Sequence, residues 1–174
     1  GSVDKGNAVT DFDEEEIKRK ISIKTALASL EYNDVKINLI DIPGSSDFLA
    51  EAIAGLRVAD AAIILVDAES GVEIQTEKMW DLCMDRNIPV LIFVNKMDKE
   101  HADFQKTLDS LKNTFSKNIA VLQLPIGKGT SFKGAVDLLN KKALFPADNG
   151  KAVEEKDIPG EMADTVSQVY EELV

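Results

Sequence analysis

The stretch Pro89-Val-Leu-Ile-Phe-Val-Asn-Lys-Met-Asp98 joins a strong structural signal to a strong chemical one. Residues 90–94 form an unbroken, β-rich apolar run behind a proline, short enough for a strand buried on both faces of a parallel sheet. Parallel strands present their chemistry at their carboxyl ends. There the run gives way to Asn95-Lys96-Met97-Asp98, an amide, a long aliphatic cation and a carboxylate. A carboxylate accepts hydrogen bonds from the ring N–H and exocyclic amine of guanine together, whereas adenine offers the wrong pattern; a lysine stem lies flat on a purine. The competing reading is a helix start, because Asn and Asp are ordinary N-caps.

Working outward, residues 61–66 form a second buried-strand run, closed by Asp67-Ala-Glu-Ser-Gly71, and residues 75–86 have helical spacing. After Asp98 an amphipathic helix places Phe104, Leu108, Leu111 and Phe115 on one face. Upstream, residues 22–30 and 35–40 alternate around a turn at residues 31–34, which predicts a β-hairpin. Residues 46–56 then resume helical spacing through Phe48, Ala52 and Leu56. Alternating strands and helices predict an α/β fold with a largely parallel sheet. Beyond Asn118 the pattern changes to short strands at 120–124, 134–139 and 142–145, an acidic stretch, and a last helix with Met162, Val166, Val169 and Leu173 on one face. The polar segment 4–20 holds too few apolar residues to build core and is expected to be a mobile surface segment with one short helix. Gly1-Ser2 reads equally as native sequence or as a cloning scar.

The hairpin's second strand ends at Asp41-Ile42-Pro43-Gly44, so this tetrapeptide and Asn95–Asp98 both stand at strand ends, which in a parallel sheet face one crevice. An aspartate there can hold a water on Mg²⁺, and a glycine lets a backbone N–H approach a terminal phosphate. A plain Pro-Gly turn is the alternative. Ser22, at the start of the hairpin, could add a hydroxyl to the same metal or be one more surface serine. Gly127-Lys-Gly-Thr130 lacks the first glycine of a phosphate loop, since Leu122 stands there, and reads as a turn. His101 has no cysteine or histidine partner for a metal, and Glu154-Glu155 and Glu171-Glu172 read as solvated charges.

With 174 residues, 44% of them hydrophobic, the chain can bury a sizeable core. No apolar run approaches the roughly 20 residues of a membrane span. The single cysteine, Cys83, excludes an internal disulfide, fits a reducing cytosol and falls in a helical stripe with Met79 and Leu82. A formal net charge of −11 argues against broad, independent nucleic-acid binding.

These residues resemble the translational GTPases, most closely the elongation factor G family. Arg19-Lys20-Ile21-Ser22-Ile23 is similar to that family's Arg-Gly-Ile-Thr-Ile first switch, Asp41–Gly44 to its Asp-Thr-Pro-Gly, and residues 95–98 to its Asn-Lys-Met-Asp. Leu122-Gln-Leu-Pro-Ile-Gly127 and Phe132-Lys-Gly-Ala-Val-Asp-Leu-Leu139 resemble the opening of the insertion that elongation factor G carries in its GTPase domain. The resemblance implies a P-loop-NTPase-type α/β fold, mostly parallel and flanked by helices, lacking its first strand, with a small α+β insertion subdomain. Residues 1–118 are then a partial GTPase domain and 119–174 the start of the insertion. It implies a GTP- and GDP-binding, Mg²⁺-dependent GTP hydrolase whose full-length form acts on the ribosome, through ribosomal RNA and stalk proteins, in the bacterial cytosol or an organellar matrix. No membrane partner is implied.

By the same resemblance Asn95 and Asp98 contact guanine, Lys96 packs on the base, Asp41 and Ser22 serve the metal, and Gly44 senses the γ-phosphate. Ser45 stands where the family has the histidine that positions the attacking water, Ser22 replaces a threonine, and Lys20 replaces a glycine. Set against that family, the chain begins after the phosphate-binding loop and its strand and stops inside the insertion, so it is expected to be a fragment of such an enzyme, inactive by itself. The alternative is a hydrolysis-impaired paralogue that binds or protects ribosomes.

Overall fold

A computed structural model describes residues 6, 8–147 and 152–173. The molecule divides into two compact units: residues 1–64 with 74–91, and residues 65–73 with 92–174. Gly1, Ser2 and the first residues of the polar segment, Asp4 and Lys5, lie outside the described residues.

In the first unit, α1 (Glu14–Arg19) starts at Asp13, whose carboxylate accepts from Glu15 N–H while Glu16 reaches back to Asp13 N–H, a capping box. The helix ends at Lys20, held in the left-handed region at φ 57°. The expectation of a loose polar segment needs correcting, because Glu16 is only 2% exposed and Asp11 is also buried. The Glu16 carboxylate accepts three backbone N–H groups, from Asp13 at 3.1 Å and from Ile23 and Lys24 at 3.0 Å each. A carboxylate so saturated with donors is stable out of water, and it ties the following segment to the helix.

Strands β1 (Ala26–Tyr32) and β2 (Val35–Asp41) form an antiparallel hairpin in which Tyr32 pairs with Val35. The intervening Asn33 and Asp34 both have positive φ, 48° and 61°, as a two-residue turn matched to strand twist requires. The first strand therefore begins four residues later than the alternation suggested and keeps Glu31 and Tyr32 within it. A 3₁₀ turn (Ser46–Phe48) leads into α2 (Leu49–Leu56). Glu51 of α2 accepts both the N–H and the hydroxyl of Thr25, at 3.0 and 2.5 Å. Leu56 packs with Cys83 and Ile88, flanked by Ala62, Leu82 and Val90, so Cys83 is the core residue its helical stripe predicted. Burial there pushes the Cys83 thiol up.

Strands β3 (Ala62–Asp67) and β4 (Val90–Asn95) pair with each other and flank α3 (Ile74–Met84) in sequence. Ala62 N–H donates to Pro89 C=O and Ala68 N–H to Asn95 C=O, both at 2.9 Å, so the strands run parallel. Their burial is one-sided rather than two-sided. Ile64 and Val66 are buried, whereas Ile63, Leu65, Leu91 and Phe93 stay about half exposed or more, with no cover among the described residues. Among those residues β2 pairs with β1 alone and β3 with β4 alone.

In the second unit, α4 (Phe104–Thr114) is capped by Asp103, which accepts from Lys106 N–H at 3.0 Å, and buries Thr107, Leu108 and Leu111. A four-stranded antiparallel meander follows: β5 (Gln123–Ile126), β6 (Gly134–Asp137), β7 (Lys142–Pro146) and β8 (Val153–Lys156). Leu124, Ile126, Val136, Leu138 and Ala143 form its core with Val166 of α5 (Ala163–Leu173), and Met162, Val169 and Leu173 pack around them as the periodicity predicted. Strand β8 lies within the stretch read only as acidic. It is exposed throughout, and an edge strand made of Glu154, Glu155 and Lys156 leaves no apolar alternation to read.

Candidate functional site

Asn95 is the last residue of β4, and the chain turns sharply after it. Its carbonyl is fixed by Ala68 N–H, and its side-chain oxygen accepts from Lys96 N–H at 2.9 Å. Lys96 takes φ 58°, a strained value for a residue with a Cβ. Met97 then turns inward and is 7% exposed, packed with Ala68 and Ala102 against Val94, Phe104 and Phe132. This buried methionine anchors the motif and leaves Asn95, Lys96 and Asp98 on the surface. Lys99 N–H donates to Lys96 C=O at 3.1 Å and Ala102 N–H to Lys99 C=O at 3.0 Å, so the turn is closed by its own backbone before α4 begins.

Asp98 is exposed, and among the described residues its carboxylate takes part in no hydrogen bond or ion pair, so both oxygens are available to paired donors. The Lys96 ammonium instead donates to Asp67 at 2.8 Å, and Lys99 reaches the same carboxylate oxygen at 3.4 Å. The hydrogen bond from Lys96, followed by that from Glu69 N–H, holds the Asp67 carboxyl well below the usual carboxylate range. Asp67 reciprocally raises the Lys96 ammonium. Asp67 was legible only as the residue closing a strand, although its place at the carboxyl end of a parallel strand was the same signal that drew attention to Asn95.

The loop 127–131 also touches this turn. A Cβ on Gly129, at φ 54°, would stand 2.9 Å from Glu100 C=O, and Phe132 packs beneath Met97. The loop is thus a turn, as expected, and a brace for the residues beside Asp98. His101 is exposed, and among the described residues no three His, Cys, Asp or Glu side chains cluster as a metal site.

The remaining candidates lie in the first unit. Asp41 ends β2 opposite Ala26, exposed, with no hydrogen bond to its carboxylate among the described residues. Pro43 is buried while Gly44 is exposed, and a Cβ at Gly44 would meet nothing within 4 Å, so local packing places no demand for glycine there. Ser45 caps the following 3₁₀ turn, its hydroxyl oxygen accepting from Asp47 N–H at 3.4 Å. Ser22 donates its hydroxyl proton to Asp11 at 2.7 Å. A serine so engaged keeps its oxygen lone pairs, and Asp41 keeps both carboxylate oxygens, so each is by its own chemistry a hard oxygen donor of the kind Mg²⁺ takes; no hydrogen bond joins the two side chains among the described residues.

An α/β fold with polar turns at the carboxyl ends of its strands sets the class, and comparison with known proteins narrows it. The sequence pattern of the elongation factor Tu GTP binding domain matches residues 1–171. The chain is 41% identical to an elongation factor G-like protein of Thermotoga maritima, over all of this chain and 25% of that protein. It is 40% identical to elongation factor G of Mycoplasma pneumoniae, again over all of this chain and 25% of the relative. A crystal structure of a Thermus thermophilus protein superposes with a TM-score of 0.91 at 29% identity, over 99% of this chain and 26% of that one. This chain belongs to the elongation factor Tu GTP binding domain family. It spans about a quarter of the length of the curated relatives it matches.

Proposed function

We propose that the chain is part of a translation elongation factor of the elongation factor G kind, which binds GTP and GDP with Mg²⁺, hydrolyses GTP and works on the ribosome in the cytoplasm. The observation that carries this reading is the Asn95–Asp98 turn, with Met97 buried beneath it and the Asp98 carboxylate exposed and without a partner among the described residues, in a chain of this family. Asp98 takes the two donors of the guanine edge, Asn95 orders the turn, and the Lys96 stem packs on the base. Ser22 would hold Mg²⁺ by its hydroxyl and Asp41 through a water, and the metal would neutralise phosphate charge. Gly44 offers its N–H to the γ-phosphate, and Ser45 occupies the position from which the attacking water is oriented. Residues 1–118 serve as the GTPase portion and 119–174 as part of an insertion.

A second reading, a nucleotide-binding paralogue with impaired hydrolysis, has one observation in its favour. The Ser45 side chain is short and neutral and accepts Asp47 N–H at 3.4 Å as a cap, which holds it close to its own backbone and suits it less well than a histidine to orient water against developing negative charge. Multiple-turnover GTP hydrolysis by the full-length protein, with and without ribosomes, separates the two: ribosome-stimulated turnover supports the elongation factor, and binding without turnover supports the paralogue.

A further inference from the structure

Lys96 is tethered at both ends. Its backbone N–H is held by the Asn95 side chain at 2.9 Å, and its ammonium by Asp67 at 2.8 Å. Asp67 is itself fixed: one carboxylate oxygen accepts Glu69 N–H at 2.9 Å, and the other is shared by Lys96 and Lys99. The Asp67 side chain is 19% exposed, against 51% for Lys96, so the carboxylate is the sheltered post and the lysine the arm stretched from it. Glu69 stands 3.7 Å from Lys99 and holds the second cation beside the first.

We propose that Asp67 is a positioning residue for nucleotide binding, which lays the Lys96 stem out as a purine platform before the base arrives. This rests on the guanine reading of residues 95–98 and adds to it a determinant of affinity rather than of base choice. A free lysine side chain samples many rotamers, and ordering it on binding opposes association. Ordering one such side chain beforehand strengthens affinity about two- to tenfold. Because the stem touches a purine face, which all purines share, Asp67 acts equally on guanosine and xanthosine nucleotides; Asp98 alone reads the edge.

The test is a double-mutant cycle in the full-length protein, reading Kd for fluorescent GDP and GTP analogues. Asp67→Asn keeps an acceptor for Glu69 N–H but removes the charge that holds Lys96. It is expected to weaken both nucleotides about three- to tenfold, to leave the ratio of guanosine to xanthosine affinities unchanged, and to add nothing in a Lys96→Met background. A purely structural role would weaken binding in both backgrounds alike. Unchanged Kd in Asp67→Asn, or losses that add with Lys96→Met, overturn the proposal. If Asp67→Asn does not fold, Asp67→Ser carries the same cycle, because its hydroxyl still accepts Glu69 N–H but holds no charge for Lys96. Failure of the underlying guanine reading is seen separately, as Asp98→Asn and Lys96→Met binding GDP as the wild type does.

Discussion

Glu16→Gln tests how the segment carrying Ser22 is held. In the wild type one oxygen of Glu16 accepts Ile23 and Lys24 N–H and the other accepts Asp13 N–H. Glutamine can keep the first pair through its carbonyl but must point an NH₂ at the Asp13 N–H, a clash of donors. The substitution removes the charge from two bonds and abolishes the third, a local loss of about 1–3 kcal/mol. Alanine removes both acceptor oxygens, and with them all three bonds, and costs about 3–5 kcal/mol, less than three full penalties because water reaches these part-buried donors. The assay is hydrogen exchange at the Ile23 and Lys24 amides of the full-length protein. Glu16→Gln should speed both about 5- to 150-fold.

The pH dependence has a definite sign. Hydrogen bonds from Ile23 and then Lys24 lower the folded-state Glu16 carboxyl from its ordinary 4.5, so the stabilisation is complete above that value and lost as pH falls through the folded one. Protection at Ile23 and Lys24 should therefore decline in acid in the wild type and not in Glu16→Gln. Wild-type exchange rates in the glutamine and alanine variants would refute the reasoning.

Three further outcomes are expected. Ser45→His raises ribosome-stimulated GTP turnover by about tenfold or more, measured by phosphate release, because an imidazole orients water where a capping hydroxyl does not. Lys20→Gly, which relieves the left-handed residue at φ 57°, stabilises the end of α1 by about 0.5–1 kcal/mol, read as slower exchange at Lys20 and Ile21 N–H. Gly134→Ala drives a Cβ into the Leu144 carbonyl oxygen across the β6–β7 ladder and destabilises the meander by about 1–3 kcal/mol in a urea melt.

The elements with strong periodicity were legible because burial writes a pattern into sequence. The run 90–94, the stripe from Phe104 to Leu111 and the face of α5 each appear within two residues of where spacing put them. Strand β8 was not, since an exposed edge needs only backbone pairing, and its glutamates say nothing of strand period. The Asp13-Glu14-Glu15-Glu16 run lies in a segment with too few apolar residues to build core, yet Glu16 is buried; three backbone donors converge on it from residues up to eight positions away. Asn95 and Asp98 were legible as a spaced motif. Asp67 was not, because its partner Lys96 lies 29 residues further on and only the pairing of β3 with β4 brings them together.

In the function proposed above, the Asn95–Asp98 turn reads guanine through the exposed carboxylate of Asp98. Leaving one guanine donor without an acceptor costs about 1–3 kcal/mol, and xanthine, which carries an oxygen where guanine has its amine, suits an amide instead. The direct measurement is competition between GDP and XDP for the full-length protein, wild type and Asp98→Asn. Guanine preference is expected in the wild type and a shift toward xanthine in the variant. Equal GDP preference in both proteins would contradict that reading.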